Sequence, residues 1–164
     1  MSKVSLKQTA KQVSASIIKH GQCLATVESC TGGWVAKVLT DLPGSSAVLD
    51  CSFVTYSNQA KHELIGVSEQ TLNSFGAVSE QTVVEMASGA AKAANADIAI
   101  AISGIAGPGG GTLDKPVGLV WFCIHFAGQN YPSQQVFSGD RAEVRLQAIV
   151  YSLKNIIELI KSEN

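Results

Sequence analysis

The sequence has few charged residues and no charge bias. Lys, Arg, Asp and Glu make up 15% of the 164 residues, and 12 basic side chains against 13 acidic ones give a formal charge of -1. Non-specific binding to nucleic acid or to an anionic membrane favours a basic excess, so neither partner is expected. Apolar residues reach 46%, which excludes intrinsic disorder and predicts one folded domain over residues 1–164.

Closely spaced cysteines and long apolar segments are also missing. The four cysteines form no C-x-x-C pair and have no histidine-rich partner segment, so we expect unpaired thiols and no metal or other cofactor. The apolar run over residues 117–127 is too short to span a bilayer. The N-terminal segment alternates lysine with apolar positions, which predicts a helix rather than a signal peptide and a cytoplasmic protein.

Helical and strand-like periodicities alternate along the chain. Ser68 and Ser79 are predicted N-caps, and Asp140-x-x-Glu143 is a capping-box pattern that opens the last helix. Alternating elements predict an α/β fold, a three-layer α/β/α sandwich with a central mostly parallel sheet and an antiparallel hairpin toward one side. The predicted helices cover about 4–20, 58–64 and 79–94, and others begin near Trp34, Ser68 and Asp140. The predicted strands cover 23–27, 48–56, 98–102, 116–126 and 131–137.

Two loops that follow predicted strands, 28–33 and 103–111, are expected to face one crevice, because ligands bind at the carboxyl ends of parallel strands. Ser29 ends a predicted strand, and Thr31-Gly32-Gly33 precedes a helix start. Ser29 is therefore a candidate nucleophile, with the helix N-terminus supplying N–H donors to an oxyanion or a phosphate. The alternative is that Ser29 or Thr31 only caps the helix.

A nucleophilic serine needs a base. Of the three histidines, only His62 lies near the end of a predicted strand. Tyr56 closes the second strand and Lys61 follows in the next helix, so both can overhang the crevice. A lysine base requires burial or a nearby cation that lowers its pKa from about 10.4 toward neutrality. The alternative for Lys61 is an ordinary solvated lysine.

Five of the fifteen glycines lie between residues 104 and 111, in no known phosphate-loop pattern. Such a loop exposes N–H groups to an anion, or is simply flexible. Arg141 and Arg145 can bind a phosphate together, or can pair with Asp140 and Glu143 at the surface.

Taken together, six motifs resemble those of the CinA C-terminal domain family of nicotinamide-nucleotide amidases, from about residue 20 to residue 150. They are Glu28-Ser-Cys-Thr-Gly-Gly33, Phe53-Val-Thr-Tyr-Ser-Asn58 with Lys61, Gly76-Ala-Val-Ser79, Ser103-Gly-Ile-Ala-Gly-Pro108, Lys115-Pro-Val-Gly118 and Gly139-Asp-Arg141 with Arg145. The larger members of that family carry a further N-terminal domain whose activities, metal-dependent ones included, are not expected here.

The resemblance implies hydrolysis of the carboxamide of nicotinamide mononucleotide to nicotinate mononucleotide and ammonia, in the recycling of pyridine nucleotides. It implies Ser29 as the nucleophile, assisted by Lys61 and Tyr56. Backbone N–H groups of residues 30–33 or 103–104 are expected to meet the oxyanion, Arg141, Arg145 and the glycine loop to hold the phosphate, and Ser103 and Thr112 to add hydroxyl contacts. The predicted substrate-binding residues are Thr31, Gly32, Gly33, Ser103, Gly104, Gly107, Arg141 and Arg145.

Two other functions stay open at this point. One is a non-catalytic nucleotide-binding module that regulates a partner, and the other is a serine amidase acting on a different carboxamide. The low charge and the aliphatic surface helices also favour a homo-oligomer.

Overall fold

The computed structural model describes residues 3–162, in which helices and strands alternate as predicted. The elements are α1 (Lys3–Lys19), β1 (Leu24–Glu28), α2 (Trp34–Thr40), a 3-10 turn (Ser45–Ala47), β2 (Leu49–Val54), α3 (Asn58–Ile65), α4 (Glu69–Phe75), α5 (Glu80–Ala94), β3 (Ile98–Gly104), β4 (Leu119–Phe126), β5 (Gln129–Val136) and α6 (Arg141–Ser162).

The five strands form one sheet in the order β2-β1-β3-β4-β5. β1 pairs in parallel with β2 and β3, whereas β4 runs antiparallel to both β3 and β5. Ala127 and Gly128 connect β4 to β5 with φ angles of 50° and 75°, which are typical of the tight turn of a two-residue hairpin. The predicted parallel centre with a hairpin on one side is confirmed.

Strand β3 separates two apolar layers because its side chains alternate in size. Its isoleucines pack in one core with α1, α2 and α6, whereas Ala99 and Ala101 pack in another with α5. Helices therefore cover both faces of the sheet, which confirms the three-layer sandwich. The small side chains on the second face let α5 approach the sheet closely.

Serine caps fix where the helices of that second face begin. Ser68 and Ser79 each accept a hydrogen bond from the backbone N–H three residues on, as predicted, and Ser57 does the same for α3. At the start of α6, Glu143 accepts from the N–H of Asp140, and Asp140 accepts from the N–H of Glu143, so the capping box is confirmed.

Helices α3 and α5 touch backbone to backbone at Gly89. A Cβ atom at Gly89 would lie 1.9 Å from the carbonyl oxygen of Ile65, which is closer than any real contact. Glycine is therefore required at this position of α5, although it is a poor helix former.

All four cysteines are unpaired, as predicted. Across residues 3–162, none of the helices combines the length and the apolar character needed to cross a membrane.

Candidate active site

Ser29 and Lys61 meet at the carboxyl end of β1. Ser29 follows β1 directly, and its N–H donates to the carbonyl of Ile102 at 2.9 Å, which ties it to the end of β3. Lys61 lies in α3 with 1% of its surface exposed. Its Nζ is 3.1 Å from Ser29 Oγ and donates to the carbonyl oxygen of Thr55 at 2.7 Å. A hydroxyl and an amine at hydrogen-bond distance are the geometry of a nucleophile and its base.

Burial changes the charge state of Lys61. Removal from water disfavours the ammonium form and lowers the pKa of Lys61 to about 8. Roughly a tenth of the molecules then hold a neutral amine at pH 7. Neutral Lys61 has a lone pair that can accept the proton of Ser29.

The thiol of Cys30 is not an alternative nucleophile at neutral pH. Cys30 is 7% exposed, and burial raises the pKa of its thiol to about 11 despite the nearby positive charge of Arg145. The thiolate is the reactive form of cysteine, so Cys30 stays protonated and unreactive.

Glu28 links α2 to the turn of residues 29–33, which we call the nucleophile turn because it carries Ser29. Its carboxylate is fully buried and accepts from the N–H groups of Val35 and Ala36, each at 3.1 Å. The sequence predicted that these donors would face an oxyanion or a phosphate. That part of the prediction is wrong, because the protein's own carboxylate occupies the positive end of the helix.

Arg145 reaches the outer side of the same turn. Its Nε donates to the carbonyl of Cys30 and its Nη2 to the carbonyl of Thr31, both at 3.0 Å. The guanidinium lies 5.2 Å from the centre of the Trp34 ring, within the range of a cation–π contact. Arg145 forms neither of the surface ion pairs considered as its alternative, and it lies outside the pocket beside Ser29.

Arg141 spans the mouth of that pocket. Its Nη1 donates to the carbonyl of Gly107 at 2.8 Å, and its Nη2 donates to the hydroxyl of Tyr56 at 3.1 Å. Tyr56 is 62% exposed, so its ring stands at the rim. The Tyr56 hydroxyl is thus bonded to Arg141 and not to Lys61, whose Nζ contacts are with Ser29 and Thr55.

The pocket has a volume of about 230 Å³ and brings the 28–33 and 103–111 loops together, with Ser103 and Gly104 in its wall. Three apolar residues that sequence reasoning missed, Ala77, Val78 and Ala106, also line it. The Gly76–Ser79 motif contains the first two, and the Ser103–Pro108 motif contains the third. The Ser103 hydroxyl donates to the carbonyl of Ala77 at 2.7 Å, so it holds the wall in place.

Several predicted binding residues lie behind the pocket. Thr31 is fully buried, and Gly32 and Gly33 adopt left-handed φ angles of 63° and 87° in the turn without lining the pocket. The Thr112 hydroxyl accepts from the N–H of Lys115 within its own loop. His62 is likewise bonded to the carbonyl of Val67 and lines no part of this pocket.

Within residues 3–162, no group of three or more His, Cys, Asp or Glu side chains has an arrangement that could hold a metal ion.

The fold and this site define a class: α/β proteins with a buried serine–lysine pair at the carboxyl ends of parallel strands. A family model narrows the class, because the CinA C-terminal domain matches residues 6–160. The chain belongs to the CinA C-terminal domain family.

Similar proteins agree with this assignment. The chain is 54% identical over 157 residues to the nicotinamide-nucleotide amidohydrolase PncC of Escherichia coli strain K12, covering 95% of both chains. It is 48% identical over 141 residues to a putative competence-damage inducible protein of Alkaliphilus metalliredigens, covering 86% of this chain and 34% of that protein. The crystal structure of the competence/damage inducible protein CihA from Agrobacterium tumefaciens superposes with a TM-score of 0.92 at 41% identity, covering 94% of this chain and 95% of the other.

Proposed function

We propose that this protein hydrolyses the carboxamide of nicotinamide mononucleotide to nicotinate mononucleotide and ammonia, a step in the recycling of pyridine nucleotides. The observation that carries the proposal is the 3.1 Å contact between Ser29 and buried Lys61, in a chain 54% identical to a nicotinamide-nucleotide amidohydrolase. A serine–lysine pair supplies both the nucleophile and the base that amide hydrolysis needs.

In the first half of the reaction, neutral Lys61 takes the proton of Ser29 while Oγ bonds to the carboxamide carbon. The carbonyl oxygen becomes an oxyanion. When the C–N bond breaks, the ammonium form of Lys61 returns a proton to the nitrogen, so ammonia leaves and an ester to Ser29 remains. The positive charge of the pyridinium ring makes the amide carbon a better electrophile.

In the second half, Lys61 takes a proton from water, and the resulting hydroxide attacks the ester carbon. The C–O bond to Ser29 breaks and Oγ recovers a proton, which releases the carboxylate product. Lys61 therefore acts twice as base and twice as acid.

The backbone N–H of Cys30 is the donor that we assign to the oxyanion. Cys30 follows the nucleophile and lines the pocket. Other N–H groups of the turn are already used: that of Gly32 donates to the carbonyl of Ser29 at 3.1 Å, and those of Val35 and Ala36 donate to Glu28. A donor fixed in advance stabilises the transition state without the cost of reorganisation.

Arg141 is the cation that we assign to the phosphate. It lies at the pocket mouth, where both of its present acceptors, the Tyr56 hydroxyl and the Gly107 carbonyl, are neutral. A phosphate offers stronger, charge-assisted hydrogen bonds than either group. Tyr56 then holds Arg141 at the rim until the substrate arrives.

The test is ammonia release from nicotinamide mononucleotide by the wild type, Ser29→Ala and Lys61→Met, with Ser74→Ala as the matched control because Ser74 is exposed and lies in α4. We expect the two site variants to lose at least about 1,000-fold in kcat and the control to keep its activity. Full activity in Ser29→Ala would end the proposal. Thermal stabilisation by the nucleotide without ammonia release from the wild type would instead favour a binding module.

A further inference from the structure

Arg145 uses two of its three guanidinium nitrogens on the backbone of the nucleophile turn. Its Nε and Nη2 donate to the consecutive carbonyls of Cys30 and Thr31, and the Trp34 ring faces the guanidinium. To bind a substrate phosphate with the same nitrogens, Arg145 would have to release both carbonyls. These contacts are typical of a side chain that supports the backbone and not of one that binds a ligand.

Because the peptide bond is rigid, the contacts of Arg145 also affect the orientation of the N–H groups that face the pocket. In a planar trans peptide, the C=O and the N–H point in opposite directions. Arg145 fixes the carbonyl of Thr31, and this fixes the N–H of Gly32 on the other side of the same peptide. That N–H donates to the carbonyl of Ser29 at 3.1 Å, which in turn fixes the direction of the Cys30 N–H.

The turn needs an external support because two glycines form its second half. Gly32 and Gly33 have φ angles of 63° and 87°, and glycine has a wide choice of backbone conformations. A Cβ at Gly32 would lie 3.6 Å from Nη2 of Arg145, so the guanidinium rests directly against this flexible segment. Without Arg145, the Cys30 carbonyl loses its hydrogen bond and the Thr31 carbonyl keeps the one from the N–H of Trp34 at 3.3 Å, so the turn is held less firmly.

The geometry points to Arg145 as a positioning residue that orients the Cys30 N–H toward the oxyanion, with the phosphate left to Arg141. This inference rests on the proposed hydrolysis and replaces the earlier expectation that both arginines bind the phosphate. The two arginines lie one helical turn apart in α6, but Arg145 is assigned to the reaction step and Arg141 to substrate affinity.

Kinetics with two substrates distinguish these roles. Nicotinamide mononucleotide carries the phosphate and nicotinamide riboside does not. We expect Arg145→Met to lower kcat by about 100-fold on both substrates, which is typical of losing an oxyanion donor, with little change in KM. Arg145→Lys is expected to recover part of kcat, because an ammonium group can still donate to one carbonyl. Arg141→Met is expected to raise KM for the mononucleotide alone.

The opposite pattern would overturn the inference. If Arg145→Met keeps kcat and raises KM only for the phosphate-bearing substrate, Arg145 is a phosphate ligand. Melting temperatures within a few degrees of the wild type are required of each variant, and Arg145→Lys serves as the test if Arg145→Met does not fold.

A second readout needs no nucleotide. An activated serine attacks the phosphorus of a fluorophosphonate, so that an O–P bond forms, the P–F bond breaks, fluoride leaves and the base takes the hydroxyl proton. The adduct places a phosphoryl oxygen in the oxyanion position. We expect it to label Ser29 of the wild type quickly, Arg145→Met at least about 10-fold more slowly, and Ser29→Ala not at all. Equal labelling of the wild type and Arg145→Met would overturn the positioning role, as would absence of labelling in the wild type. Labelling of a wild type that releases no ammonia would refute only the proposed substrate.

Discussion

Lys61 is a buried lysine whose hydrogen-bond partners are both neutral oxygens. Its Nζ contacts the Ser29 hydroxyl and the Thr55 carbonyl, and the two ion pairs formed among residues 3–162 lie elsewhere. Its pKa is therefore lowered by the loss of water and not by a neighbouring cation. This has consequences for both rate and stability.

The rate should follow the titration of Lys61. With the pKa of Lys61 at about 8, kcat/KM is expected to rise nearly tenfold per pH unit between about pH 6 and pH 7 and to level off above about pH 9. Initial rates of ammonia release across this range test the prediction. A rate independent of pH over the same interval would contradict a lysine base.

Replacing Lys61 should raise the stability of the fold, although it lowers the rate of the reaction. An unfolded lysine keeps its proton up to about pH 10.4, whereas folded Lys61 loses it near pH 8, so wild-type stability rises with pH between these values. We expect Lys61→Met to be more stable than the wild type by about 1–2 kcal/mol at pH 7 and to lose that advantage toward pH 10. Urea unfolding of both proteins at the two pH values measures the difference. A constant difference would show that burial of the charge is not its cause.

At the scale of elements, β1 and α2 are joined through one carboxylate. Glu28 is the last residue of the strand, and its side chain caps the helix that begins six residues later. One residue therefore holds the start of the intervening turn and, through its carboxylate, the helix that follows it. This arrangement holds Ser29 in place, and it also removes the helix N-terminus from any role in binding.

Glu28→Gln should therefore weaken both the fold and the site. An amide can accept only through one oxygen and turns N–H donors toward the donors of the helix, so we expect a loss of about 2–3 kcal/mol in the free energy of unfolding and a lower kcat. The matched control is Glu143→Gln, which alters an exposed helix cap at α6 and should cost less than about 1 kcal/mol. Chemical denaturation of both variants tests the prediction. Equal losses would show that burial of the Glu28 carboxylate adds nothing.

At the scale of the whole molecule, charge contributes to binding more than to folding. The two ion pairs described for residues 3–162, Lys37–Asp41 and Lys161–Glu158, each join exposed side chains three or four residues apart near the end of a helix. Pairs of this kind add little to stability. The positive charge of Arg141, in contrast, stands at the pocket mouth.

Salt should separate these two effects. Raising NaCl from about 0.05 M to about 0.5 M is expected to move the melting temperature by less than about 2 °C and to raise KM for nicotinamide mononucleotide severalfold. Nicotinamide riboside is the control, because its KM should not respond. Thermal scans and initial rates at the two salt concentrations measure both quantities, and a KM for the mononucleotide that ignores salt would contradict a charge-based phosphate site.

The sequence predicted more of the fold than of the site. Periodicity and caps are local properties, so the order of elements and the Ser68, Ser79 and Asp140 caps could be predicted from neighbouring residues alone. The partners of Arg141 and Arg145 lie between 34 and 115 positions away in the chain, and no local pattern contains that information. Spacing alone had left the two arginines equivalent, whereas the tertiary structure gives them different neighbours.

The contact at Gly89 bears on how precisely the lysine is held. Since α5 meets the end of α3 through main-chain atoms, no flexible side chain lies between them to absorb a displacement. We expect a shift of α5 at Gly89 to displace Ile65, which lies in α3 four residues after Lys61. Substitutions in α5 that lie outside the pocket are therefore expected to change the distance between Lys61 and Ser29.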